Sequence, residues 1–196
     1  MDVLIERAVD TAALTWPVRE IASGSDGESF NRAYVDLRGA SWKEVKQVLA
    51  LEEAILQRLA AESGGERDNE ITDDESERLF YLDVGVASAA LALSAARCVP
   101  ITSCCGGEGH TEAYPLVVFR CRRERVPDLL EAAEEAGCGI VNADCGMLMV
   151  YAGDVDQMLG FARGLMARRN ALRRLRVPGK QRSASPAEQL SFRSLM

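Results

Sequence analysis

The stretch from Gly85 to Ala96 constrains the fold more than any other part of this chain. It contains Gly85, Ala87, Ser88, Ala89, Ala90, Ala92, Ala95 and Ala96, with Val86, Leu91 and Leu93 between them. A helix with small side chains on every side has no solvent face, so it belongs in an interior where neighbouring backbones approach closely. Upstream, Thr72-Asp-Asp-Glu75 forms a capping box whose acids also complement a helix dipole. The spacing therefore predicts one central helix from Asp73 through Leu79, Leu82 and Val86 to about Arg97. Asp83, just before the small-residue half, is either a helix-end anchor or a site carboxylate.

The remaining signals surround that helix. Ser41-Trp-Lys-Glu44 is another capping box and opens a helix to about Glu62, with Val45, Val48, Leu49, Ile55, Leu56 and Leu59 at helical spacing. Gly64-Gly65 supplies its stop. After Pro100, Val99 to Cys104 predicts a short strand, and Pro115 to Cys121 a strand too apolar to be exposed on both faces. Pro127 and Gly137 bracket a helix over Asp128 to Ala136. Gly139 to Val141 and Met147 to Tyr151 predict two strands around a turn at Ala143 to Gly146. Asp154 with Gln157 opens a last helix that turns Val155, Met158, Leu159, Phe161, Leu165 and Met166 inward. The order from Asp73 onward is helix, strand, strand, helix, strand, strand, helix. That is an α+β fold, an α/β sandwich with a small mixed or antiparallel sheet of about four to five strands packed by the central helix.

Residues 1–40 are harder to read. Asp2 to Leu14 fits an amphipathic helix with Val3, Leu4, Ala8 and Leu14 inward, Pro17 and Ser23 to Gly27 break the chain, and Tyr34 to Leu37 suggests a short strand. The expected organisation is this N-terminal segment, one α/β domain over 41–176 with an acidic loop at 62–77, and a disordered basic tail over 177–196.

A chain of 196 residues, 47% apolar and 27% charged, has the length and composition of a globular protein with a real core. Met1-Asp2-Val3 leads straight into polar sequence, with no secretory pattern. The longest weakly polar run, Val84 to Ala96, is far short of the roughly 20 residues that cross a bilayer. A cytoplasmic protein with no membrane partner is expected, and its six cysteines are then free thiols more readily than disulfides. Cys121, Cys138 and Cys145 lie in apolar runs, where a thiol acts as a small hydrophobe. The net charge of −7 is unevenly spread. Glu62 to Glu77 holds eight acids against one arginine, whereas Arg163 to Met196 holds nine bases against Glu188. Such blocks are docking surfaces for a protein or nucleic-acid partner, or else solvated helix ends paired within the chain.

The chemistry concentrates in Cys98-Val-Pro-Ile-Thr-Ser-Cys-Cys-Gly-Gly-Glu-Gly-His110, which holds three cysteines, three glycines and the only histidine of the chain. Four readings are open. Cys104 or Cys105 beside His110 is the composition of an activated thiol nucleophile. Cys98, Cys104 or Cys105 with His110, completed by Cys138 or Cys145, offers zinc-ligating atoms, although C-x5-C-C-x4-H fits no usual zinc-knuckle spacing and vicinal cysteines on a strand point to opposite faces. Gly106, Gly107 and Gly109 can free the backbone to cradle an anion, with Thr102, Ser103 and His110 donating hydrogen bonds. The last is a tight turn whose glycines supply positive φ while the cysteines fill core space. The functional assignment taken from these is a ligand- or nucleotide-binding domain with its pocket at Thr102 to His110. His110, Cys104 and Glu112 are its candidate catalytic groups, and Thr102, Ser103, Gly106 and Gly107 its ligand-binding groups. Glu108 and Tyr114 support them, and no metal is assigned. The alternative is a non-catalytic interaction or regulatory module built on the acidic loop and the basic C-terminal helix.

Val99-Pro-Ile-Thr-Ser-Cys-Cys-Gly, following a small-residue helix, resembles the wybutosine-synthesis methyltransferase family of tRNA modification. That family carries a Thr/Ser-rich strand ending in Ser-Ser-Cys-Ser-Gly-Arg. The later succession Leu116-Val-Val-Phe-Arg-Cys, a helix with Leu129 and Leu130, then Glu135-Ala-Gly-Cys138, is similar to the family's strand–helix–Ala-Gly unit. Ser103, Cys104 and Gly106 match the motif, Cys105 replaces its second serine, and Gly107 stands where its arginine would be. Over residues 79–151 the resemblance implies a shared fold first. It implies S-adenosylmethionine as cofactor and RNA as substrate only at a remove, while a small anionic ligand is the expectation of the glycine-freed backbone and the basic tail.

Overall fold

The computed structural model describes residues 3–15, 37–62, 71–107 and 109–174. The fold is α+β. Its strands are β1 (Arg7–Ala8), β2 (Val99–Cys104), β3 (Leu116–Arg120), β4 (Gly139–Ala143) and β5 (Met147–Tyr151). They form one sheet in the order β1-β4-β5-β3-β2, antiparallel throughout except for the parallel β1–β4 pair. The helices are α1 (Trp42–Glu62), α2 (Asp73–Arg78), α3 (Ala87–Ala95), α4 (Val126–Ala136), α5 (Val155–Ala167) and α6 (Arg169–Arg174). α1 packs on α3 and α5, α4 packs on α5, and α3 lies against β2 and β3. Strand periodicity sends Val117, Phe119, Ile140, Leu148 and Val150 into this helical layer, where each is fully buried. Val118, Val141 and Met149, at alternate positions, are only half-buried.

Local chemistry sets most boundaries as the sequence predicts. Ser41 and Glu44 bond reciprocally to each other's backbone N–H at the start of α1, and Thr72 and Glu75 do the same for α2. Asp154 caps α5 by accepting from the Gln157 N–H at 2.8 Å. Gly137 closes α4 in the left-handed region at φ 73°. Residues 87–94 of α3 are all buried, as the small-residue pattern requires.

Three expectations are corrected. The single helix from Asp73 to Arg97 is broken in two, because Phe80 and Tyr81 adopt left-handed φ of 58° and 56° and Gly85 follows at 93°. A buried carboxylate restarts the helix. Glu52 of α1 accepts hydrogen bonds from Gly85, Ala87 and Ser88 N–H at 2.8–2.9 Å, satisfying the free donors of the first turn of α3. Burial pushes the Glu52 carboxyl above its ordinary range, and these hydrogen bonds pull against that rise.

The N-terminal segment is extended rather than helical. Leu4, expected inward, is 76% exposed. The open edge of β4 wins the segment: β1 pairs along it, Ile140 N–H donates to the Glu6 carbonyl, and the Tyr151 hydroxyl accepts from Glu6 N–H and donates to the Leu4 carbonyl. Cys145 is the third correction. It is exposed on the turn before β5 at φ 55°, whereas Cys121 and Cys138 are buried as expected. The proposed breaks at Pro17 and Ser23 to Gly27, the strand residues Tyr34 to Asp36, the stop at Gly64-Gly65, residues 63–70 of the acidic loop and the tail beyond Arg174 lie outside the described residues, and residues 73–77 of that loop belong to α2.

Candidate functional site

The end of β2 and the turn that follows it bring together groups from two parts of the chain. Cys104 is the last residue of β2, paired with Leu116 and buried. Cys105 leaves the strand half-buried, and its Sγ lies 3.4 Å from His110 Nε2 and 3.7 Å from Nδ1. His110 is exposed. Asp83, in the break between α2 and α3, accepts the Cys105 N–H on Oδ2 at 3.3 Å. One ligating atom from each of Asp83, Cys104 and His110 lies within 4.8 Å of the others.

The turn is held by its own backbone. Gly107 N–H donates to the Glu112 carbonyl at 3.1 Å, and His110 N–H donates to the Gly107 carbonyl at 3.2 Å. Gly106 N–H points at Cys104 Sγ, 3.4 Å away, so this sulfur acts as an acceptor. At Gly106 a β-carbon would stand 2.3 Å from the Tyr114 carbonyl carbon, at φ +72°. Only glycine fits there. Tyr114 in turn lies against Tyr151, ring centroids 5.6 Å apart, and Tyr151 is the residue that ties down the N-terminal segment.

The expected site is thus partly assembled. Cys104 and His110 converge, and Gly106 and Gly107 shape the turn between them. Glu112 enters through its backbone carbonyl. Thr102 and Ser103 do not form one surface: as successive strand residues they point to opposite faces, Thr102 exposed and Ser103 half-buried. Glu108 lies outside the described residues. Asp83, open in the sequence between a helix-end anchor and a site carboxylate, lies beside the turn, and of the two candidate thiols Cys105 is the one at the imidazole. The anchoring role considered for Asp83 belongs instead to Glu52.

The other thiols divide by environment. Cys98 and Cys121 face each other in the core, and their mutual hydrogen bond together with burial holds the Cys98 thiol far above its usual range. Burial pushes the Cys138 thiol up to about 12. Such thiols stay protonated and inert at neutral pH.

The basic C-terminal helices are partly committed within the molecule. Arg163 pairs with Glu53 at 2.7 Å, and Arg168 with Glu131 and Glu135. The remaining described arginines of this run, Arg169, Arg173 and Arg174, are exposed. Among the described residues no helix is long and apolar enough to cross a membrane. Comparison with family models, with curated proteins and with solved structures gives no match, so the chemistry of the site rests on its own geometry.

Proposed function

We propose that this chain is a ligand-binding α+β domain whose working centre is the turn joining β2 to β3, with Cys105 and His110 as its reactive pair. The observation that carries this is the 3.4 Å approach of Cys105 Sγ to His110 Nε2 beside Asp83 and Cys104. An imidazole at this distance is placed to take the thiol proton as the sulfur attacks, the role of the base in a thiol nucleophile directed at a soft or electrophilic ligand. The carboxylate beside the pair makes the described site less suited to a small anion than to a cationic or electron-poor group.

Alkylation tests the pair. Iodoacetamide at neutral pH, under reductant-free and chelator-treated conditions, is expected to label Cys105 faster than the more exposed Cys145, which has no imidazole beside it. The thiolate displaces iodide while His110 keeps the proton. His110→Ala should slow Cys105 to the rate of Cys145. Labelling of Cys145 first, or a Cys105 rate indifferent to His110→Ala, would overturn the assignment. The resemblance to the wybutosine-synthesis methyltransferases centres on the same Ser103 to Gly107 positions, and S-adenosylmethionine and RNA are the ligands it implies. A rise in melting temperature with S-adenosylmethionine that His110→Ala removes would support that narrower function.

A further inference from the structure

The geometry points to Asp83, Cys104 and His110 as a three-ligand site for a thiophilic divalent cation, zinc first among them, with its fourth position open to solvent. This inference takes the β2–β3 turn as the working site and names what it binds.

A tetrahedral zinc ion with bonds of roughly 2.0–2.3 Å holds its ligating atoms about 3.3–3.8 Å apart. The three atoms here already lie within 4.8 Å of one another before any ion draws them in. Two of the three ligands are held by the fold. Cys104 is fixed by the β2–β3 ladder, and Asp83 is held in the short link before α3, whose first turn is bonded to Glu52. The third is on the exposed turn, where a change of about 1 Å costs little packing. The ligand set also selects the ion. One sulfur, one imidazole nitrogen and one carboxylate oxygen suit borderline zinc, whereas magnesium and calcium favour oxygen throughout.

The surroundings provide a second, independent indication. Gly106 N–H is directed at Cys104 Sγ, and Cys105 N–H at Asp83 Oδ2. Backbone donors aimed at a sulfur and a carboxylate fix the direction of the ligating groups, as the outer partners of a metal's ligands do. Cys105 stands beside the imidazole rather than within the three-atom cluster. Cys104 is therefore the ligand, and Cys105 the neighbour beside the imidazole. Three protein ligands with an exposed imidazole leave room for a water or a substrate atom, the arrangement of a catalytic rather than a structural zinc.

Cobalt(II) is the probe. The full chain, reduced and chelator-treated, is titrated with Co2+ and the thiolate-to-cobalt charge-transfer band is followed, after which Zn2+ displaces it. One equivalent is expected, with a band of one-thiolate intensity. Asp83→Asn, Cys104→Ser and His110→Ala should each weaken binding by at least about 10–100-fold, the loss that even outer partners of a metal cause. Cys105→Ser and Cys145→Ser should retain it. Absence of a thiolate band, a band that follows Cys145, or unchanged affinity in both Asp83→Asn and His110→Ala would overturn the site. Should Cys104→Ser fail to fold by circular dichroism, His110→Ala on the exposed turn still decides the question. The two proposals fail separately: a protein that binds no cobalt but whose Cys105 alkylation depends on His110 loses the metal and keeps the reactive pair.

Discussion

The two direct strand-to-strand connections of the sheet share their parts but not their company. Both the β2–β3 turn and the β4–β5 turn carry a cysteine, and glycine in the left-handed region, but only the β4–β5 turn meets the N-terminal segment directly, through Thr15. At β4–β5, Cys145 is exposed, and its carbonyl is the group that is used, accepting from Thr15 and Arg120. At β2–β3, the cysteines meet a histidine from the same turn and an aspartate from twenty residues earlier. A cysteine on a left-handed turn is therefore not enough for a site. The difference comes from α3, whose start is fixed by a carboxylate on another helix and so places Asp83.

The largest expected effect follows from removing that support. Glu52→Ala leaves three buried N–H groups without an acceptor and should cost about 3 kcal/mol or more in urea unfolding. It should also slow Cys105 alkylation while leaving Cys145 alone. An equal effect on both cysteines would mean the two turns do not differ in the way described.

Next come the glycines. Gly106→Ala combines positive φ with a clash against backbone and should cost about 2–4 kcal/mol. Gly107→Ala, at φ +98° with nothing within 4 Å of the added carbon, should cost only about 1 kcal/mol. Gly146→Ala meets Thr15 instead and should destabilise without altering Cys105 reactivity. Measured stabilities in the reverse order for the two β2–β3 glycines would contradict the packing of Tyr114 over Gly106.

The pH dependence is smaller. Below the ordinary carboxyl range Glu52 is protonated in both folded and unfolded chains. As pH rises, the unfolded carboxyl ionises first because the folded one is raised, so the native state holds more protons and stability falls. The loss accumulates until the folded carboxyl ionises too. Glu52→Gln lacks this dependence, so the stability of wild type minus Glu52→Gln should fall with rising pH. A flat or rising difference would show that the three N–H bonds outweigh burial. The smallest effect is expected for Arg168→Ala, which should lower the melting temperature only slightly, because its partners Glu131 and Glu135 are largely exposed and screened by solvent.

Elements signalled by neighbouring residues were legible in the sequence. The capping boxes at Ser41 and Thr72, the Asp154 cap, the Gly137 stop and the apolar strands all act within a few positions. What was hidden depends on distant partners. Nothing near Asp83 announces that Glu52, thirty residues earlier, will cap a second helix and split the small-residue run. The segment 3–15 has helix-like spacing, but the edge of β4 and the Tyr151 hydroxyl offer it backbone partners that a helix pattern cannot reveal. The candidate site shows the same division. His110, Cys104 and the glycines stood out because they crowd one stretch, whereas Asp83 arrives from another element. Thr102 and Ser103 were grouped by adjacency, which a strand undoes.

The phenol of Tyr151 bears on the order of events during folding. It joins residues 4 and 6 to the turn through Tyr114, across separations of 145 and 147 positions in the chain. Contacts this far apart in sequence form slowly, because a large loop must close before they return any energy. The docking of residues 4 and 6 onto Tyr151 is therefore a late event. A refolding experiment should find the helices and the β3–β5 pairing protected from hydrogen exchange before the Glu6 and Ile140 amides that hold the N-terminal segment.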